Sequence, residues 1–582
     1  MTIALAIASS ACTPLPSSAP ASALAQTPPS SRSDHRVVVA IVVDQLAGWI
    51  AEERWPELPR DGGFARLIRE GTWAKRVRYA HAVTDTAPGH SALYTAVVPR
   101  DSGIFANEVL DAEGKRGSVL RDPQTHLVSD EGEQDSAGAS LAALRVDTLA
   151  DRLHRAKPDA VVVSLSLKDR GALFAAGRQP RAAVWFDPKR DRFVTSTAFA
   201  HALPEWARTP TATAAVAHFQ SQTWDLLDPA WVTAHARTPD AQPGEGDVEG
   251  LGVVFPHVLA ASRSPGNAFR TSPFADQALF DLALAAIDQE GIKEHDALIA
   301  LSLSANDYIG HAFGPDSWEA WDELYRLDRA LGRFLDQLDV RFGKEGYAVL
   351  LTADHGVTTM PEAAIVPGVR RWCADSSHDS WERACGPVGR IFPDALAEEL
   401  RLEAKRALGD GDWVASVVDP YVYLTTAARA LEPRRQGILD AAILRALRAH
   451  REVDIVIPTR ALPAICPPET DESIAALVCR SVAAGAGDYY VVVSRGSFFD
   501  PNVVMGKGTS HGSPYLFDRT VPLLARAPGK IRGGALLEQN VGFETFARTA
   551  AALLGVDAPG NAASGADLFD VDLASGHRRP GQ

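Results

Sequence analysis

The chain has 582 residues, 46% of them hydrophobic and 23% charged, the balance of a globular protein with room for one large α/β domain carrying insertions or for several ordinary domains. Its net charge of -15, from 58 basic and 73 acidic residues, argues against a nucleic-acid backbone as main partner, because that role needs a basic surface. No run of about 18 apolar residues occurs, so no membrane span is expected.

The first 35 residues differ from the rest. An apolar start, Thr2 to Ala8, leads into a Ser/Pro/Ala-rich stretch ending in Ala23-Leu24-Ala25. This reads as an export signal over 1–25 with an A-x-A cleavage site, then a linker over 26–35, and implies a periplasmic or secreted protein. The basic n-region is missing, with no Lys or Arg before Arg32, so a disordered tail is the alternative. Cys12 as a lipid site is disfavoured because Ser9 stands where such a box has Leu.

From residue 36 to 571 the pattern is that of a single α/β domain with a central, mostly parallel sheet and helices on both faces. Unbroken apolar runs at Val37 to Val43, Val161 to Leu165, Ala297 to Leu303 and Tyr347 to Thr352 read as strands buried on both faces. Helical patterns alternate with them, such as Phe274 to Asp288, with Ser272 as expected N-cap and Pro273 in the first helical position. Two stretches interrupt the alternation and read as insertions. One, about 177–267, holds a hairpin signal at Trp185 to Val194 and a Pro/Gly/acidic loop from Pro239 to Glu249. The other, about 361–500, holds helical patterns near Asp394 to Leu408 and Gly437 to His450. The polar tail over 572–582 is expected to fray.

The second insertion carries four cysteines, an even number that suits an oxidising compartment. Their short separations make loop closure easy, so Cys373 is expected to pair with Cys385, and Cys466 with Cys479.

Chemistry-bearing residues cluster where the strands end. Asp44 follows the first run, where a charge is costly unless compensated. Thr86 in Thr86-Ala87-Pro88-Gly89-His90 precedes a helical stretch, whose free N–H groups favour an anion. Lys168-Asp169-Arg170 follows Val161 to Leu165. Asp307 and His311, four apart, share one helix face and can bind one metal ion. Asp354-His355-Gly356 follows Tyr347 to Thr352, and His511 stands in Gly508-Thr509-Ser510-His511-Gly512. In open α/β sheets such loops converge outside the carboxyl ends of the strands. Each feature alone has a bland reading as an ion pair, a helix cap or solvated charge.

The ordered set is decisive. Val43-Asp44-Gln45, Thr86 to His90, Gly103-Ile104-Phe105-Ala106-Asn107, Ser166 to Gly171, Asn306 to His311, Ala353 to Gly356 and Gly508 to Gly512 together resemble the alkaline phosphatase superfamily, and within it the bacterial phosphate-irrepressible enzymes with a threonine nucleophile. The resemblance spans about Val37 to Phe569. It implies two zinc ions, one held by Asp44, Asp354, His355 and the Thr86 oxygen, the other by Asp307, His311 and His511. Both donor sets are N and O, compatible with zinc. It further implies a covalent phosphothreonine at Thr86, with Asn107, Lys168 and Arg170 binding the phosphoryl oxygens.

The field of two zinc ions, three aspartates, Lys168 and Arg170 matches a dianionic monoester better than a monoanionic diester. A phosphodiesterase or nucleotide pyrophosphatase of the same superfamily is the alternative, and a metal- or phosphate-binding protein without turnover is the second. Sulfate ester hydrolysis is disfavoured because Thr86 stands where arylsulfatases carry an oxidisable Cys or Ser. Small phosphate monoesters are thus the expected partners, with no stable nucleic-acid partner. The oligomeric state is left open, with a monomer favoured, and calcium in addition to zinc is left open.

Overall fold

The computed structural model describes residues 36–111, 114–363, 388–500, 505–560 and 567–568, with backbone alone at 571–572 and 577–578. The expected export signal and linker lie outside the described residues, as does the Cys373 and Cys385 couple. Cys466 and Cys479 are disulfide-bonded.

The central sheet contains strands β1 Val37–Val43, β2 Thr72–Arg78, β3 Arg121–Ser129, β4 Gly132–Ala139, β5 Val161–Ser166, β6 Ala182–Asp187, β7 Arg192–Ser196, β8 Ala297–Leu303, β9 Tyr347–Thr352, β10 Thr520–Arg526, β11 Ala535–Leu537 and β12 Val541–Gly542. They lie in the order β11, β2, β10, β9, β1, β8, β5, β6, β7, β3, β4, with β12 also paired to β2. The middle five strands, β9 through β6, run parallel. Every residue of β1, β5, β8 and β9 is buried. Because successive side chains point to opposite faces, such strands must be covered on both sides. Helices do this: Phe274–Gln289 packs on β8 and β5, and Thr545–Leu554 packs on β1 and β9.

The antiparallel neighbours bring distant segments to the same edge. β10 runs antiparallel to β9, so its amino end lies beside the carboxyl end of β9. β2 runs antiparallel to β10, so its carboxyl end lies at that edge too. The loops that enter β10 and leave β2 therefore meet the loops that leave the parallel strands.

Residues 388–500 build a separate four-stranded antiparallel sheet, ordered Val414–Val418, Tyr421–Leu424, Tyr489–Val493 and Val453–Pro458. Its alternation is read by two cores. Val422, Leu424, Tyr489 and Val491 pack with Leu400, Leu439 and Ile443 of helices Pro393–Leu408 and Pro433–Ala449. Tyr421, Tyr423, Tyr490 and Val492 face the main core instead.

The helix after Ser272 begins one residue later than expected. Pro273 takes the N-cap position, and the Ser272 hydroxyl donates to the Phe269 carbonyl instead of capping. No helix among the described residues is long and apolar enough to cross a membrane.

Candidate active site

Four adjacent strands deliver most of the candidate residues. Asp44 leaves β1, Asp354 and His355 leave β9, Lys168 leaves β5, and β8 leads into helix Ala305–Phe313, which carries Asp307 and His311 one turn apart. Thr86 opens helix Thr86–Thr95, and Pro88 stands in its first turn. His511 stands in the loop before β10.

Two groups of potential metal ligands result, Asp44 with Asp354 and His355, and Asp307 with His311 and His511. Within each group the donor atoms lie within 4.8 Å of one another. The histidines are oriented by backbone. Nδ1 of His311 donates to the Thr509 carbonyl at 2.8 Å, Nδ1 of His355 to Gly356 at 3.0 Å, and Nδ1 of His511 to Thr84 at 2.8 Å. A hydrogen on Nδ1 leaves the Nε2 lone pair of each neutral ring facing the carboxylates, the tautomer a metal requires.

The carboxylates fit a cation. Among the described residues, both oxygens of Asp44 and Oδ2 of Asp354 are buried without a hydrogen bond, and buried carboxylates in that condition need opposite charge nearby. The protein's own charges supply part of it. Lys168 Nζ lies 2.7 Å from Asp44 Oδ2 and 2.5 Å from Asp307 Oδ2, and His355 Nε2 lies 3.3 Å from Asp44 Oδ1. Burial works against charge on Lys168, but Asp307 and Asp44 hold its pKa well above the ordinary lysine range. Burial alone would raise Asp307, yet His311 and Lys168 hold it well below the usual carboxylate range. For His355 burial is likewise outweighed, by Asp354 and Asp44, and its pKa is pushed up to about 10.

The candidate nucleophile is enclosed. Thr86 is 1% exposed, its Oγ1 lies 3.5 Å from His355 Nε2, and Lys168 Nζ donates to it at 3.3 Å. Asn107 is beside it, with Oδ1 accepting from the Ala87 N–H at 2.8 Å. Arg170 is half-buried, with its nearest acid Asp169 at 3.6 Å. The resemblance implies that Lys168 binds the phosphoryl group, and its ammonium here lies near Asp44, Asp307 and Thr86 together.

The family model for type I phosphodiesterase / nucleotide pyrophosphatase matches residues 38–408. The chain belongs to this family, within the alkaline phosphatase superfamily. Alkaline phosphatase PhoK of Sphingomonas sp is 30% identical over 588 residues, covering 96% of this chain and 93% of that protein. Alkaline phosphatase PhoV of Synechococcus elongatus is 28% identical over 550 residues, covering 91% and 92%. Among solved structures, that of alkaline phosphatase PafA superposes with a TM-score of 0.79 at 27% identity, covering 91% of this chain and 98% of that one. Murine ectonucleotide pyrophosphatase / phosphodiesterase 5 shares the fold at 14% identity and a TM-score of 0.50, with the same coverage.

Two supporting residues have no assigned role in the sequence reading. Gln45 adopts a positive φ of 68°, and this turn aims its groups at both ligand sets. Its N–H donates to Asp354 Oδ1 at 3.2 Å and its amide nitrogen donates to Asp307 Oδ1 at 2.9 Å. His90, fully buried, places Nδ1 3.0 Å from both the Thr86 carbonyl and Asp354 Oδ2. Both belong to motifs already noted, and the signal that could have found them is adjacency to a ligand or nucleophile. Gly89 is required by packing, since a Cβ there would meet the Asp354 carbonyl at 2.2 Å.

Proposed function

We propose that this protein is a zinc-dependent alkaline phosphatase that hydrolyses phosphate monoesters through a phosphothreonine at Thr86. The chain aligns with alkaline phosphatases along nearly their whole length, which supports phosphoester hydrolysis. The observation that carries the monoester reading is the buried Lys168 ammonium within hydrogen-bonding distance of Thr86 Oγ1, a cation beside the nucleophile in addition to any metal.

Two zinc ions, one on Asp44, Asp354, His355 and Thr86 and one on Asp307, His311 and His511, would supply Lewis acidity at the attacking and leaving oxygens. Thr86 Oγ1 gives up its proton and attacks phosphorus, the ester P–O bond breaks, and the departing alkoxide gains one proton through solvent to leave as the alcohol. A water then attacks the phosphothreonine, releasing phosphate and restoring the threonine. Lys168, Arg170 and Asn107 bind the non-bridging oxygens, and the amino end of helix Thr86–Thr95 adds its dipole to the same field. Removing Thr86 as nucleophile is expected to cost at least about a thousandfold in kcat.

A diesterase is the second reading, favoured by the description of the family model. The deciding assay compares kcat/KM for an aryl phosphate monoester and its methyl diester on zinc-loaded protein, with the Lys168→Ala/Arg170→Ala variant in parallel. The proposal expects a monoester preference that collapses in the variant. A diester preference would replace it with the second reading, and no turnover of either ester would leave a metal- or phosphate-binding protein.

Export to the periplasm or beyond is part of the same proposal. The Cys466–Cys479 bond supports it, because such bonds persist in oxidising compartments.

A further inference from the structure

Residues 388–500 hold none of the candidate ligands or phosphoryl-binding groups, yet one helix there grips the chain that delivers Thr86. Helix Ile474–Ser481 starts at Ser473, whose hydroxyl accepts from the Ala476 N–H at 3.3 Å. Its last three residues, Cys479, Arg480 and Ser481, are buried. Arg480 donates to the Ala80 carbonyl, and also to the carbonyls of Pro467, Pro468 and Asp471 at 3.0, 2.8 and 2.6 Å. Arg100, in the segment leading to Asn107, donates to the Cys479 carbonyl at 3.2 Å, and Cys479 is itself bonded to Cys466.

A serine hydroxyl has one donor and two acceptor positions, and at Ser481 all three are used. It donates to the Leu477 carbonyl one turn earlier at 2.9 Å, and it accepts from the N–H groups of Ala82 at 2.7 Å and Val83 at 3.3 Å. The donation to Leu477 fixes the hydroxyl rotor and leaves both lone pairs to the incoming chain. Ala82, Val83 and Ser481 are fully buried. Among the described residues neither N–H has another acceptor, and a buried backbone N–H needs one.

Only two residues separate Val83 from Thr86, and both belong to the site. The Thr84 carbonyl accepts from His511 Nδ1 at 2.8 Å, and the Thr84 hydroxyl donates to the Ser513 carbonyl at 3.0 Å. Asp85 is the N-cap of helix Thr86–Thr95. We infer that Ser481 is a positioning residue, whose hydroxyl fixes the backbone that carries Thr86 and the carbonyl orienting His511. Its effect on turnover rests on the phosphatase reading, whereas the clamp itself is read from hydrogen bonds alone.

The test uses full-length, zinc-loaded protein, an aryl phosphate monoester, and hydrogen exchange followed by mass spectrometry of the peptide over 79–86. Ser481→Ala should lower kcat by about 10–100-fold, the scale set by misplacing a reacting group by up to about 1 Å. KM should change little, because Lys168 and Arg170 stand on another segment. Exchange of the 79–86 peptide should quicken at least about tenfold at Ala82 and Val83. Ser481→Thr, which keeps the hydroxyl, should restore most of kcat. Leu439→Ala, in the other core of the same segment, should lower the Tm and leave kcat near wild type, which separates positioning from lost stability. Should Ser481→Ala misfold, wild-type exchange decides: slow exchange at Ala82 and Val83 supports the clamp, and exchange at the rate of an open loop overturns it. Ser481→Ala protein with wild-type kcat overturns the inference and leaves the phosphatase reading standing. Wild-type protein that turns over no ester overturns both.

Discussion

Gln45→Met separates the two ligand sets. Methionine keeps the length of the side chain and the backbone N–H to Asp354 but removes the 2.9 Å donation to Asp307, and it keeps an unbranched side chain at the positive φ. A buried hydrogen bond to a charged acceptor contributes about 1.5–3 kcal/mol, which corresponds to a factor of about 10–150 in an equilibrium constant. Outer-shell losses of about 10–100-fold in metal affinity fall in the same range. Zinc affinity at Asp307, His311 and His511 is therefore expected to fall by about 10–100-fold, while the Asp44, Asp354 and His355 set changes little. Competition with a chromophoric chelator resolves this as one weakened and one unchanged binding step. Equal weakening of both steps, or of neither, would refute the idea that Gln45 supports the second set through its side chain.

His81 and the disulfide give two further tests. His81 is buried, neither ring nitrogen is hydrogen-bonded among the described residues, and burial, with Arg519 and Arg480 nearby, lowers its pKa to about 3. The unfolded chain then binds more protons as pH falls below about 6.5, so this stability is present above that pH and lost on acidification. Between pH 7.5 and 5.5 the wild type should lose about 1.4 kcal/mol more than His81→Phe in urea unfolding, and parallel pH profiles would contradict this. The Cys466–Cys479 bond closes a separation of 13 residues, a loop for which the chain-entropy model gives about 3 kcal/mol. The Cys466→Ser/Cys479→Ser variant should show a lower urea midpoint, and an unchanged midpoint would assign the bond no stabilising role.

The parts of the fold carried by burial were legible in the sequence. Val37–Val43, Ala297–Leu303 and Tyr347–Thr352 are strands with the bounds their apolar runs indicate, because a strand covered on both faces admits a polar residue only where its hydroxyl finds a partner, as Ser302 does with His90 and Thr352 with the Pro522 carbonyl. The one-turn spacing of Asp307 and His311 likewise placed both on one helix face. Long-range pairing was not legible. Nothing near His511 states that β10 runs antiparallel to β9, and that direction is what brings its loop to the site. Gln45 was missed because its contribution depends on a positive φ set by the turn after β1, which a glutamine does not advertise. Lys168 was recognised by its neighbours in sequence, but its place between Asp44 and Asp307 depends on the β8 and β5 pairing.

The order of the sheet also acts as a ruler. Asp354, Asp44 and Asp307 arise from three neighbouring strands, β9, β1 and β8, whose pitch is fixed by backbone hydrogen bonds at about 4.8 Å. Substitutions of side chains cannot change that pitch, so the spacing of the ligand sets is inherited with the topology. The loops after β2 and β5 and the sheet built from 388–500 lie outside that constraint. A side-chain change in those segments can reshape what reaches the candidate site without moving the three aspartates relative to one another.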